Sequence, residues 1–161
     1  MSKKVQFLTH AAMIAAIYVV VTVLFAPFSF GEIQVRVAEA LTILPYFTPA
    51  AVPGLFIGCI IGNIIGGAIL PDIIFGSMAT LIGAYITYLL RGKSKYLAPL
   101  PPIIANTIVV PYVLHYAYGI NLPIPLMMLT VGIGEIISCG FFGMIILTAL
   151  QKHNHKIFKT K

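Results

Sequence analysis

Acidic charge is scarce in this chain: its four side-chain carboxylates are Glu32, Glu39, Asp72 and Glu135. Charged residues of both signs make up 9% of the 161 residues, against 60% hydrophobic, and mean hydropathy is +1.02. Soluble domains carry roughly 25% charge. Too little polar surface is present for a water-facing globule, and no segment is left over for a soluble domain. Cysteine is scarcer still. Cys59 and Cys139 both lie in apolar runs, where a thiol behaves as a small hydrophobe, and their placement indicates neither a disulfide framework nor a metal site. Also missing is a nucleophile beside a base. No His lies near a membrane Ser or Cys in a recognisable arrangement, which argues against an enzyme. The "GKS" at 92–94 lacks the glycine that a phosphate-binding GxxxxGK[ST] loop needs at 87, where Thr87 stands, and no strand precedes it. Any ATP hydrolysis belongs to another chain, and no cofactor is expected.

What is present is apolar length. A spanning helix needs roughly 20 apolar residues to cross about 30 Å of hydrocarbon, so the chain has room for about six crossings and reads as one integral membrane domain, 1–161. The run after Lys4 continues to Phe30. That is too long for a signal-peptide core and has no small-x-small cleavage site, so it is expected to be retained as the first helix. Pro, Gly and charge punctuate the runs and predict an all-α protein with helices at about 7–30, 36–49, 52–69, 71–90, 97–118 and 124–150. The second is the shortest: about 14 residues rise only about 21 Å, and Pro45, Pro49 and Pro53 interrupt or end it.

Charge fixes the expected orientation. The net charge of +6 does not mark a nucleic-acid surface, because the basic residues sit in short connections. Lys3 and Lys4, then Arg91, Lys93 and Lys95, then Lys152, Lys156, Lys159 and Lys161 form three clusters, which the positive-inside rule places in the cytoplasm. Even numbers of crossings must separate them. Four helices before 91 and two after 95 satisfy this, which makes the short second segment a crossing, puts both termini inside and puts residues 32–36 outside. Arg36 is then the one basic side chain that topology does not explain.

A charge at the bilayer centre costs about 2.5–3.5 kcal/mol on insertion scales, so each carboxylate needs a task or a partner. Glu135 lies about 11 residues, or roughly 17 Å, into the last helix; it is a ligand contact or proton site, or a satisfied interhelical hydrogen bond. Glu32, Arg36 and Glu39 at i, i+4 and i+7 share a helical face, as an interfacial ion-pair ladder or as the mouth of a small-molecule site. Asp72 follows Pro71 at a helix start, where free amides favour an anion, so capping competes with ligand binding. Asn63 and Asn106 each offer two donors and an acceptor, suited to the edge of a planar polar ligand or to interhelical packing. On the expected topology Glu39, Asn63, Asp72 and Glu135 lie between the midplane and the outer surface, placed to converge on one outward-facing pocket. Gly54, Gly58, Gly62 and Gly66 make a small-xxx-small packing stripe. Ala11, Ala12, Ala15 and Ala16 make two more near the cytoplasmic end of the first helix. Tyr112, Tyr116 and Tyr118 with His115 read as an outer interfacial belt or as stacking partners for a ligand. His153 and His155, in a basic tail without further ligands, do not make a metal site.

The stretches "VRVAEALTILPYFTPAAVPGLFIGCIIGNIIGG", "PDIIFGSMATLIGAYITYLL", "LAPLPPIIANTIV" and "VGIGEIISC" resemble the QueT family of queuosine-precursor transporters, substrate-binding S components of energy-coupling factor (ECF) transporters. The likeness covers nearly the whole chain and is most specific over 35–67. It implies a six-helix S-component fold with an outward-opening site. It also implies a transmembrane T component and two ATP-binding-cassette ATPases as partners, and transport by toppling of the S component in the membrane. The alanine stripes at 11–16 resemble the motif by which S components dock. The implied ligand is a 7-deazapurine such as preQ1 or queuine. On that resemblance Glu135 and Glu39 take the ring donors or an ammonium, Asn63 and Asn106 the ring edge, Arg36 and Gln34 the mouth loop with Glu32 beside them, and Asp72 is a further member. Competing readings are an S component for another vitamin or nucleobase, a stand-alone proton-coupled transporter using Glu135, and a structural scaffold that leaves the buried acids unexplained.

Overall fold

The computed structural model describes residues 2–29 and 35–157, which form helices and short connections with no strand among them. In chain order these are α1 (Lys3–Leu24), a single turn α2 (Ala26–Ser29), a 3-10 helix (Val37–Tyr46), α3 (Ala51–Ile65) and α4 (Leu70–Leu90). A turn at Lys95–Leu97 leads to α5 (Leu100–Tyr116). Then α6 (Ile124–Glu135) runs through a π-helical stretch (Ile136–Phe142) into α7 (Gly143–Ile157). Local chemistry explains the ends. Ser2 caps α1 by accepting from the Val5 amide at 3.4 Å. Pro71, Pro101 and Pro125 stand in the first turns of α4, α5 and α6, where a missing N–H is harmless. Gly67, at φ 78° just past α3, takes the left-handed conformation that stops a helix.

Four helical spans, Lys3–Leu24, Leu70–Leu90, Lys95–Tyr116 and Ile124–Lys152, are long and apolar enough to cross a membrane; Val37–Tyr46 and Ala51–Ile65 are shorter. The second expected helix is therefore real as an element but tighter and shorter than an α-helix over 36–49. Pro45 supplies no amide, and the Thr42 hydroxyl takes the Glu39 carbonyl at 2.6 Å. Such backbone is tolerated at membrane depth when protein encloses it. This segment is enclosed: it packs against α1, α3, α4, the π stretch and α7, with Glu39, Thr42 and Ile43 wholly buried.

Side-chain register gives the directions of the helices. Gly54 faces Ala11, Gly58 faces Ala15 and Tyr18, and Gly62 faces Thr22, so α1 and α3 are parallel and in close contact. A Cβ at Gly54 would lie 2.7 Å from the Ala11 carbonyl oxygen, which is why a stripe of glycine is needed there. Thr80 meets Cys59 and Gly76 meets Asn63, making α4 antiparallel to α3. Thr87 meets Ala98, Gly83 meets Pro102 and Asp72 meets Tyr118, making α5 antiparallel to α4. Thr107 meets Gly132, so α6 returns beside α5. The 3-10 helix runs with α4, pairing Arg36 with Asp72 and Glu39 with Thr80. Six segments thus alternate in direction, and Lys3, Lys4, the 91–95 loop and Lys152 share one end of the bundle.

The molecule is inverted relative to a soluble protein. Exposed faces are apolar, with Leu8, Leu24, Leu70, Leu89, Leu129 and Phe141 all more than half exposed, while Arg36, Glu39, Asp72, Asn106, Glu135 and Ser138 are interior. Lipid accepts the first set without cost, and the second is possible only with internal hydrogen bonds.

Candidate functional site

The polar interior begins at the end opposite the basic clusters. There Arg36, at the entrance to the 3-10 helix, donates through one guanidinium nitrogen to both Asp72 oxygens, each at 3.0 Å. Asp72 stands in the first turn of α4, yet its carboxylate is used for side chains: Tyr118, just beyond α5, donates to Oδ2 at 3.1 Å. The Tyr118 hydroxyl also accepts from the Ile69 amide at 3.4 Å. Gly76 leaves the room this pair occupies, since a Cβ there would come within 3.0 Å of Asp72 Oδ1 and 3.4 Å of Arg36 Nη1, with Asn63 Nδ2 at 3.6 Å. Three elements and a loop are tied together at this mouth.

Deeper in, Glu39 is the hub. Its Oε1 accepts a short hydrogen bond from the Tyr18 hydroxyl of α1 and lies 3.1 Å from Thr80 Oγ1 of α4. Its Oε2 accepts from Asn106 Nδ2 of α5 at 3.3 Å. Glu135 closes α6, where the Cys139 thiol donates to its Oε2 at 3.2 Å. That thiol also lies 3.3 Å from the Glu39 carbonyl oxygen and 3.4 Å from Thr42 Oγ1. Glu135 and Cys139, four residues apart, share one side, and the π-helical stretch that begins between them is a local distortion that recurs at functional sites. Glu39, Glu135 and Cys139 present ligand atoms within 4.8 Å of one another. The cluster is sealed from solvent: Glu39 is 0%, Glu135 2% and Asn106 2% exposed.

Of the residues expected at a site, Arg36 and Asp72 meet at the mouth, Asn63 stands beside them, and Glu39, Asn106 and Glu135 meet in the centre. Glu32 and Gln34 lie outside the described residues, as do the side chains of His153 and His155. The ladder Glu32, Arg36, Glu39 is replaced, for its described part, by a pairing of Arg36 with Asp72 across the bundle. Tyr118, expected in an interfacial belt or as a stacking partner, instead uses its hydroxyl on Asp72. Three participants were not anticipated. Tyr18 and Thr80 carry no sequence signal that separates them from other membrane Tyr and Thr residues. Cys139 does, because it stands four residues after Glu135. Reading both cysteines as plain hydrophobes was incomplete: Cys59 lies 3.6 Å from Asn63 Nδ2 and 3.5 Å from Thr80 Oγ1.

The other features separate cleanly. Tyr112 and Tyr116 stack at 6.4 Å on the outer face of α5 beside an apolar groove of 540 Å³ lined by Pro71, Phe75 and Ile108, a lipid-facing position apart from the polar cluster. A second groove, of 610 Å³, runs along α1 and α3. Ala11 and Ala15 form its floor, buried against the α3 glycines, while Ala12 and Ala16 are exposed along it with Ile57 and Ile61.

Comparison with known proteins adds three findings. A family model described as QueT transporter matches residues 8–152. The queuosine precursor transporter QueT of Lactococcus lactis subsp. cremoris (strain MG1363) is 33% identical over 86 residues, which cover 52% of this chain and 50% of that protein; the match spans about half the length of that relative. No solved structure matches the chain.

Proposed function

From its place in the QueT transporter family, to which the chain belongs, we propose that it is the substrate-binding S component of an ECF-type importer. It captures a queuosine precursor, a 7-deazapurine such as preQ1 or queuine, from outside the cell membrane. It then delivers the ligand inward with a T component and two ATPases, which hydrolyse the ATP. The observation that carries this reading is the sealed cluster of Glu39, Asn106 and Glu135 inside an otherwise apolar bundle. Carboxylates accept the paired N–H donors of a guanine-like edge, and amides serve its carbonyl. Glu39, Asn63, Asn106 and Glu135 are assigned to the ligand. Arg36 and Asp72, with Glu32 and Gln34, are assigned to the mouth that the ligand passes. In this reading the chain makes six crossings with both ends in the cytoplasm, an arrangement that the alternating segments and the shared basic end support. That orientation turns the mouth outward and sets the exposed Ala12 and Ala16, over Ala11 and Ala15, against the partner near the cytoplasmic side.

Transport assays decide between this and a self-sufficient carrier. Vesicles holding the chain together with the T component and ATPases take up labelled preQ1 only with ATP, and vesicles holding the chain alone do not. Uptake by the chain alone, driven by a pH gradient without ATP, overturns the dependent-binder assignment in favour of a proton-coupled carrier.

A further inference from the structure

Charge is out of balance inside the bundle. Among the described residues the buried ionisable acids and bases are Glu39, Asp72, Glu135 and Arg36, three carboxylates to one guanidinium, and Arg36 and Asp72 already form a pair. The side-chain donors that reach Glu39 and Glu135 from the surrounding elements are neutral: Tyr18 from α1, Thr80 from α4, Asn106 from α5 and Cys139 from the π stretch. The other titratable groups nearby are Cys59 of α3, which touches Thr80, and Arg36, whose charge acts on both carboxylates while its hydrogen bonds reach Asp72. One guanidinium shared with Asp72 offsets only part of the charge of two further carboxylates, which are costly to keep buried, and Glu39 and Glu135 are held close together. A further polar group on the same turn waits unused: the Ser138 hydroxyl, between Glu135 and Cys139 and 0% exposed, has no hydrogen-bond partner.

We propose that Glu39 and Glu135 form a subsite for a positively charged ligand nitrogen, so that the site selects amine-bearing 7-deazapurines over neutral ones of the same ring. This rests on the substrate-binding reading above and adds the charge of the ligand to it. A primary or secondary ammonium donates charge-assisted bonds of about 2.8 Å, which sets two acceptors on one tetrahedral nitrogen roughly 4.6 Å apart. The Glu39, Glu135 and Cys139 ligand atoms lie within 4.8 Å of one another, a spacing that suits two carboxylates sharing one nitrogen. A divalent metal ion is the rival occupant of those three atoms. It is less favoured because Glu39 is already ringed by Tyr18, Thr80 and Asn106, while an ammonium needs only the acceptor capacity that remains.

The test is calorimetric titration of the purified chain with preQ1, whose side group is an aminomethyl, and preQ0, whose side group is a nitrile. The expected result is at least tenfold tighter binding of preQ1. In Glu135→Gln that preference falls below threefold while preQ0 binds about as before. Glu39→Gln is expected to act the same way, but Glu39 holds more internal bonds, so Glu135→Gln decides if the other variant fails to fold. Equal binding of the two compounds by the parent chain, or a preference that survives in Glu135→Gln, overturns the subsite and leaves the deazapurine reading standing. Binding of neither compound overturns that reading and the subsite with it. Tight Zn²⁺ binding that preQ1 does not displace reassigns the cluster to a metal ion and also overturns the subsite.

Discussion

Glu39 shows how one residue organises the interior. It lies on the 3-10 helix, and its carboxylate gathers donors from α1, α4 and α5, so removing any donor disturbs both the packing of that helix and the acceptor presented to a ligand. Tyr18→Phe deletes the bond to Oε1 and little volume. A hydrogen bond to a charged group contributes about 1.5–3 kcal/mol, so this variant is expected to bind preQ1 about tenfold more weakly or worse, with the helical content by circular dichroism unchanged. Unchanged affinity would remove Tyr18 from the site. Glu39, Asp72, Glu135, Asn63 and Asn106 were legible in the sequence as polar interior positions because each is an expensive exception in an apolar chain. Tyr18 and Thr80 were not, because membrane-embedded Tyr and Thr are ordinary, and only their rotation toward Glu39 distinguishes them; Tyr118 was singled out, but for its ring and not for its hydroxyl bond to Asp72. Rotation is hard to read where a helix is apolar on every side, as α1 and α3 are, since no hydrophobic stripe marks the inner face.

Among the elements, the α1–α3 contact is the most constrained. Gly58 is one of its tight points: a Cβ there would stand 2.8 Å from Tyr18 Cβ and 3.0 Å from the Ala15 carbonyl oxygen, and neither is a flexible side-chain end. Gly58→Ala is expected to destabilise the chain by about 1–3 kcal/mol through overpacking, and to weaken ligand binding as well, because Tyr18 rides on the displaced turn. Gly92→Ala, with open space around it, is the control and should leave both unchanged. Thermal melting in detergent checks the first effect; a melting point for Gly58→Ala equal to that of the control would contradict the contact. The glycine stripe could be read directly from its four-residue spacing. The 3-10 character of the second segment could not, because Pro45 and the Thr42 bond to the Glu39 carbonyl act together with enclosure by five neighbouring elements, and only the fold supplies the last.

At the scale of the molecule, parity argued from lysine and arginine positions alone required a crossing where the chain was too short for a comfortable one. Parallel packing of α1 and α3 means that the chain returns between them through the 3-10 helix, which is the direction such a crossing needs. The buried cysteines make orientation easy to test, since Cys59 and Cys139 are 0% exposed and give a low labelling background. Asn121→Cys, in the loop beyond α5, is expected to react with a membrane-impermeant maleimide in intact cells. Gly92→Cys is expected to react only after permeabilisation. The reverse pattern would invert the molecule and turn the mouth formed by Arg36, Asp72 and Tyr118 toward the cytoplasm.

The central claim is that this chain, without any partner, binds a 7-deazapurine in the cluster around Glu39 and Glu135. Calorimetric titration of the purified chain with preQ1, queuine and guanine, with riboflavin and biotin as controls, tests it most directly. The account predicts one-to-one binding of a 7-deazapurine and none of the two vitamins. Binding of riboflavin or biotin in preference to every 7-deazapurine, or of no compound at all, would contradict it.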